Sequence, residues 1–346
     1  MKIGVIGNEA CDADSIVSAI VHARFLTSTT NGNAIPFVHC SLDELPDRLD
    51  FAEILSIVGG LHLCSNLRSI QDDVSNIDSW ILVDHHYPSN LFISRVLPDF
   101  KISHVIDHHR VVTEEARIFL NATPHDIREV GSTCSLIAEK VLFASTEKWL
   151  LDKEFLFMLL LVIVLDTGNL NVDLKIATAL DVEMHAKLSC ILGIDLRDQT
   201  HWKRLVNSRF NPDYWSKVSV EKMLGYDFKE IDGIGYSTIF VSIDRISDMQ
   251  IASYAQFKNF TLFVVIGAHL TSECSDFPNR QLIVYSHHQS QTSSFSALHE
   301  TLMKKYSLRL LFSNDSVLRY DVLDRGFSRK KFSPFFSQIV GKKNYS

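Results

Sequence analysis

The chain has few cysteines, no long hydrophobic run and no excess of basic residues. Its six cysteines are scattered over 346 residues without a CxxC pair, so the sequence offers no disulfide framework and favours a reducing compartment. The longest apolar run, 155–165, is too short to span a bilayer, and the N-terminus turns polar too soon for a signal peptide. The net charge of -7 argues against nonspecific nucleic-acid binding as the main activity. We therefore expect a cytoplasmic protein whose partners include neither a membrane nor a nucleic acid.

A length of 346 residues suits two domains, each large enough to bury a core. In the first half, strand-like and helix-like segments alternate, which favours an α/β domain with a mostly parallel sheet covered on both faces. The predicted strands are 2–7, 34–40, 54–60, 79–84 and 101–107. The predicted helices are 14–27, 131–144 and 153–165, and Ser132 is the expected cap of the second.

The second half of the sequence differs from the first in its longer strand-like runs and fewer helices. Its predicted strands are 236–244, 260–269 and 280–288, and its predicted helices are 219–224 and 294–306. These segments indicate a smaller α+β domain. We place the first domain at 1–192, a polar linker at 193–204 and the second domain at 205–346.

Acidic, amide and imidazole side chains follow the apolar runs of the first domain. They are Asn8, Asp12, Asp14, Asp84, Asp107, His108, His109 and Asp166. In an open parallel sheet ligands bind beyond the carboxyl ends of the strands, so these side chains can converge on two divalent ions. Two ions about 3.5–4 Å apart can clamp a phosphoryl group. An acid after a strand can equally be only a helix cap, and from the residues alone both interpretations stay open.

The triplet Asp-His-His occurs twice, and it belongs to an ordered series of motifs. That series resembles the DHH phosphoesterase superfamily with a DHHA2 second domain, the group of family II pyrophosphatases, cytosolic exopolyphosphatases and Prune proteins. The matching segments are GNEACDADSIVSAI at 7–20, ILVDHH at 81–86, VIDHH at 105–109, VGSTCSLIAEKVL at 130–142, VLDTGNL at 164–170 and SRKK at 328–331. The residues of these motifs most resemble those of the exopolyphosphatase and Prune branch. The resemblance implies an active site in a cleft between the DHH and DHHA2 domains.

The resemblance also implies a role for each motif residue. Asn8 and Asp12 would hold a first metal, and Asp84 would be shared with a second. The second metal would take Asp14, His108 and Asp166. Asp107 would orient the imidazoles, while His85 and His86 would occupy variable positions. The phosphate-binding residues would be His109, Arg329, Lys330 and, as a weaker candidate, Arg209, and the first three would also be catalytic.

The resemblance implies a metal-dependent phosphoanhydride hydrolase in which a metal-bridged hydroxide attacks the terminal phosphate of inorganic polyphosphate, with short chains as candidate substrates. Pyrophosphatases of this group have His where this chain has Asn8, and an amide oxygen suits Mg²⁺ better than Mn²⁺ or Co²⁺. This difference disfavours pyrophosphate as the substrate. The two ions would be Mg²⁺ or Mn²⁺, with Co²⁺ or Zn²⁺ as alternatives. Other functions left open are a pyrophosphatase, a nucleotide phosphodiesterase and a Prune-like interaction protein.

Overall fold

The computed structural model describes residues 1–30, 32–96, 100–111, 113–144, 152–195, 199–231, 233–271, 278–287, 292–324, 327, 329, 332–333 and 335–336. The chain divides into unit 1, Met1–Arg209, and unit 2, Phe210–Ser346. The domain boundaries drawn at 192 and 205 stay a prediction. A helix, Thr200–Arg209, begins inside the stretch predicted as a linker.

Unit 1 is built on a six-stranded sheet in which all strand pairs are parallel, as the sequence predicts. The strands are β1 (Lys2–Ile6), β2 (Asn33–Val38), β3 (Arg68–Ser69), β4 (Ser79–Val83), β5 (Ile102–Asp107) and β6 (His125–Ile127). Their spatial order is β3-β2-β1-β4-β5-β6, so the direction of winding reverses between β1 and β4. Sheets of this kind bind ligands at the carboxyl ends of the strands beside the reversal. That edge carries the residues that follow β1, β4 and β5.

The helices of unit 1 explain the longest apolar run of the sequence. They are α1 (Ala13–Thr29), α2 (Leu49–Val58), α3 (Asn90–Arg95), α4 (Glu114–Asn121), α5 (Thr133–Phe143), α6 (Lys153–Asp166), α7 (Ala179–Leu192) and α8 (Thr200–Arg209). Helix α6 is buried continuously from Met158 to Leu165, and a helix that is apolar on all sides belongs inside a core. Among the described residues no helix is both long and apolar enough to cross a bilayer.

One predicted strand is wrong. The segment 54–60 lies in helix α2 and in the turn that ends it. The buried residues Phe51, Ile54 and Leu55 have the i, i+3, i+4 spacing of a helical face. The predicted strand begins at residue 54 and excludes Phe51, so it misses this spacing. Gly59 ends the helix with a φ of 98°, a left-handed conformation that glycine adopts without strain.

Unit 2 contains a six-stranded mixed sheet in the order β11-β12-β10-β9-β8-β7, which agrees with the predicted α+β domain. Its strands are β7 (Asp227–Ile231), β8 (Ile234–Ile239), β9 (Leu262–His269), β10 (Asn279–Ser286), β11 (Leu308–Ser313) and β12 (Val317–Val322). Only β8 and β9 pair in parallel. The helices are α9 (Pro212–Lys217), α10 (Val220–Tyr226), α11 (Asp248–Phe257) and α12 (Thr292–Lys305). The core includes Tyr236, Leu302 and Phe332.

Candidate metal centre

Asp84 follows β4, and three side chains donate hydrogen bonds to its carboxylate. Its Oδ2 accepts hydrogen bonds from Asn8 Nδ2 at 2.6 Å and from Ser15 Oγ at 3.0 Å, and its Oδ1 accepts one from Thr133 Oγ1 at 3.0 Å. The backbone φ of Asp84 is 62°, in the left-handed region that non-glycine residues rarely adopt. Such a conformation costs about 1–3 kcal/mol and persists only where the surroundings fix it. The hydrogen bonds to this buried side chain are what fixes it here.

His108 follows β5 and points its second ring nitrogen at two carboxylates. Its Nδ1 lies 3.0 Å from the carbonyl oxygen of Val130, an arrangement in which Nδ1–H donates to that oxygen. Nε2 then lies 3.2 Å from Asp84 Oδ1 and 3.7 Å from Asp14 Oδ2. In a neutral ring with this tautomer, Nε2 presents a lone pair to negatively charged oxygens, which repel it. A proton or a metal cation between them removes the repulsion, and the hydrogen bond at Nδ1 is the usual support of a metal-ligating histidine.

Asp14 lies in the first turn of α1, and its carboxylate meets the N-terminus of another helix, α5. Its Oδ1 accepts hydrogen bonds from Ser132 Oγ at 2.8 Å and from the Cys134 amide at 2.9 Å. Its Oδ2 accepts one from the Thr133 amide at 2.8 Å. The N-terminus of a helix has unpaired amides and a partial positive charge, both of which stabilise a carboxylate. Asp14 is therefore held, while buried, in a fixed position beside His108.

Asp107, at the end of β5, connects the two Asp-His-His triplets. One oxygen, Oδ2, lies 2.6 Å from His86 Nδ1, and the other, Oδ1, lies 2.8 Å from His109 Nδ1. Burial alone would raise the pKa of this carboxyl, but the charges and hydrogen bonds of His109 and His86 outweigh it and hold the pKa well below its usual range. His85 points elsewhere: its Nδ1 lies 2.9 Å from the Val83 carbonyl, and burial lowers its pKa.

The remaining predicted ligands lie at the same edge of the sheet or end a helix. Asp12 caps α1 by accepting the Ser15 amide at 3.0 Å, and Asp166 is the last residue of α6. Among the described residues the group Asp84, Asp107, His108 and His109 has potential ligand atoms that all lie within 4.8 Å of one another and could hold a metal ion. The chemistry of this donor set, carboxylates with imidazole, fits Mg²⁺, Mn²⁺ or Zn²⁺.

The predicted phosphate-binding arginines each pair with an acid of their own unit. In unit 1, Arg209 Nη2 lies 2.7 Å from Asp50 Oδ2 and 3.9 Å from Asp166 Oδ1. In unit 2, Arg329 Nη1 lies 2.7 Å from Asp227 Oδ1 and donates to the Asp227 carbonyl at 3.1 Å. Burial raises the pKa of Asp227, but the Arg329 charge contributes to a net lowering. Lys330 lies outside the described residues.

Four residues that support the carboxylates of the site were not among the predicted site residues. Ser15 and Thr133 bond Asp84, Ser132 bonds Asp14, and Asp181 anchors the segment that contains Ser132 and Thr133. A serine or threonine near a helix start is expected to cap that helix. The resemblance of 7–20 and 130–142 to family segments is a signal for the three hydroxyl residues, but it does not extend to Asp181.

Residues 2–163 match the DHH family, N-terminal domain. The chain is 25% identical to "Exopolyphosphatase PRUNE1" of Homo sapiens, over 97% of this chain and 75% of that protein. It is 25% identical to the protein of the same name from Rattus norvegicus, over 83% of this chain and 63% of that protein. The crystal structure of CDC45 from Entamoeba histolytica covers 98% of this chain and 95% of that one at 10% identity, but its TM-score of 0.29 supports no inference. Residues 2–163 are thus similar to the DHH family, N-terminal domain, and most of the chain is similar to proteins named exopolyphosphatase.

Proposed function

We propose that this protein is a metal-dependent hydrolase of phosphoanhydrides that releases the terminal phosphate of inorganic polyphosphate. The observation that carries the proposal is the position of His108 Nε2, 3.2 Å from one buried carboxylate and 3.7 Å from another. A divalent cation there would be bound by an imidazole and two acids that the fold already holds in place. The similarity to relatives named exopolyphosphatase supports polyphosphate as the substrate.

The proposed metal ligands divide into two sets that share Asp84. Asn8 and Asp12 form one set with it, and Asp14, His108 and Asp166 form the other. Asn8 would ligate through its amide oxygen, although that oxygen now accepts the Ala10 amide at 2.9 Å while Nδ2 donates to Asp84. When bound, two divalent cations would supply a reactive water at neutral pH and neutralise the phosphoryl oxygens.

The remaining roles belong to side chains that meet the substrate. His109 is oriented through Nδ1 by Asp107, so its Nε2 is the atom that would donate a hydrogen bond to a phosphate oxygen. Arg329 and Lys330 would bind the negatively charged phosphates, and Asp227 would keep the Arg329 guanidinium in one orientation. A charge positioned in advance stabilises the transition state because it needs no reorganisation during the reaction.

The test is phosphate release from pyrophosphate, tripolyphosphate and long-chain polyphosphate, each with Mg²⁺ and with Mn²⁺. We expect tripolyphosphate or longer chains to be hydrolysed faster than pyrophosphate. His108→Ala should lower turnover by several orders of magnitude, whereas His104→Ala, which removes an imidazole from strand β5 just before His108, should not. Absence of phosphate release from every substrate, or equal activity of the two variants, would refute the proposal.

A further inference from the structure

Asp181 is a fully buried carboxylate in the first turn of α7, and neither the motifs nor the proposed reaction use it. Its Oδ2 accepts hydrogen bonds from the Gly131 amide at 2.8 Å and from the amide and hydroxyl of Thr178, both at 2.7 Å. Its Oδ1 accepts one from Ser135 Oγ at 2.6 Å. Burying a carboxylate is unfavourable unless hydrogen bonds satisfy it. The bonds from Gly131 and Ser135 tie the start of α7 to both ends of residues 131–135, which we name the 131–135 segment, and the two bonds from Thr178 are local to the start of α7.

The 131–135 segment is also hydrogen-bonded to two proposed metal ligands. It donates three hydrogen bonds to Asp14 and one to Asp84. The donors are Ser132 Oγ, the Thr133 amide and the Cys134 amide to Asp14, and Thr133 Oγ1 to Asp84, at 2.8, 2.8, 2.9 and 3.0 Å. The position of this segment therefore decides where two carboxylates of the metal centre lie.

The packing around Gly131 leaves no space for a side chain at this position. A Cβ at Gly131 would lie 2.6 Å from Thr167 Cγ2, 2.9 Å from the Ile176 carbonyl oxygen and 3.0 Å from Asp181 Oδ2. Thr167 directly follows Asp166, another proposed ligand. Asp181 is thus one of three residues that pack closely against Gly131.

We propose that Asp181 is a positioning residue for the metal centre, which acts through the 131–135 segment to hold Asp14 and Asp84 in place. This inference rests on the function proposed above, because it concerns the same site. Asp181 itself touches neither ion nor substrate in this scheme. Residues that orient metal ligands in this way typically change metal affinity by about 10–100-fold when they are mutated.

We attribute the effect of Asp181 on metal binding to its hydrogen bonds, because an asparagine amide can make the same bonds. In Asp181→Asn the amide oxygen can take the Oδ2 position and keep the bonds from Gly131 and Thr178. The NH₂ group can then donate to Ser135 Oγ, because a hydroxyl can reverse its role. Asp181→Ala removes all four acceptor contacts and leaves the Gly131 amide buried and unpaired.

The experiment titrates the full-length chain with Mg²⁺ and with Mn²⁺ by calorimetry and measures phosphate release from tripolyphosphate as a function of metal concentration. We expect Asp181→Ala to weaken metal binding about 10–100-fold. At saturating metal its KM should stay near that of the wild type. Asp181→Asn should restore metal binding almost to the wild-type level. Leu188→Ala is the matched control, because Leu188 is buried in the same helix, and its loss should lower the Tm without weakening metal binding.

Unchanged metal affinity in Asp181→Ala would overturn the inference, and so would an equal loss in Leu188→Ala, which would reduce the effect to general destabilisation. If the wild-type chain itself bound neither ion, the proposed function would fail as well, so the two failures are distinguishable. Should Asp181→Ala not fold, Ser135→Ala, which deletes only the bond to Oδ1, must weaken metal binding relative to Leu188→Ala for the inference to stand.

Discussion

Ser15 lies in the first turn of α1 and supports two parts of the candidate site, so its replacement gives a sharp prediction. A serine at the start of a helix is ordinarily expected only to cap it. In the structure its buried hydroxyl donates to Asp84 Oδ2 at 3.0 Å and accepts the Asn8 amide at 3.2 Å. Ser15→Ala removes both bonds and leaves the Asn8 amide unpaired, so the loop after β1 and the strained residue after β4 both lose support.

The expected magnitude follows from these two contacts. A hydrogen bond to a charged group contributes about 1.5–3 kcal/mol to stability and a neutral one about 0.5–1.5 kcal/mol, so Ser15→Ala should lower the free energy of unfolding by about 2–4 kcal/mol. Because Asp84 is the proposed shared ligand, metal affinity should also fall, by about 10–100-fold.

The assay combines denaturant unfolding without metal and calorimetric titration with Mg²⁺ or Mn²⁺. Ser18→Ala is the matched control, since Ser18 is an equally buried serine one turn further along α1 whose hydroxyl contacts Cys134 Sγ at 3.4 Å. We expect Ser18→Ala to keep the metal affinity of the wild type. If the two variants bound metal equally well, Ser15 would be only a helix-start residue and the role assigned to its hydroxyl would be wrong.

Three further predictions concern other parts of the site. His108→Ala should lower kcat by several orders of magnitude in a phosphate-release assay and His85→Ala only slightly, because His85 bonds a backbone carbonyl. Asn8→His should favour Mn²⁺ over Mg²⁺ in calorimetric titrations, because imidazole is the softer donor; an unchanged preference would place Asn8 away from the metal. The lowered pKa of Asp227 means that its pair with Arg329 stabilises the fold above about pH 4 and that this stability is lost as the pH falls through the lowered value. Asp227→Asn should abolish that part of the pH dependence in denaturant unfolding.

The parallel sheet and the location of the site were predictable because both depend on local patterns. Apolar runs that end in acids mark buried parallel strands, and parallel strands bring their carboxyl ends to one edge. This placed Asn8, Asp84 and His108 together without any knowledge of their contacts. The strand predicted at 54–60 failed because a short apolar run has the same composition in a strand and in a buried helix face.

The contacts that hold the carboxylates were not predictable because they join residues far apart in the chain. Ser15 and Asp84 are 69 positions apart, Thr133 and Asp84 are 49, and Gly131 and Asp181 are 50. A serine or threonine hydroxyl has no periodicity that reveals its partner, and its commonest local role is to cap a helix. Only the packing of α1, α5 and α7 determines which hydroxyl meets which acid.

The two Asp-His-His triplets show why identical letters need not have identical roles. Strands β4 and β5 are parallel neighbours in which Val83 lies opposite Ile106, so the triplets that follow them emerge side by side. Asp107 still belongs to its strand, and its carboxylate binds one imidazole from each triplet, His86 and His109. Asp84 instead turns into the left-handed conformation, which directs its carboxylate to donors from the loop after β1, from α1 and from α5 and brings it near His108. The first triplet therefore contributes the Asp84 carboxylate to the proposed metal site, and the second contributes the His108 imidazole. The left-handed backbone of Asp84 is what distinguishes the roles of the two triplets.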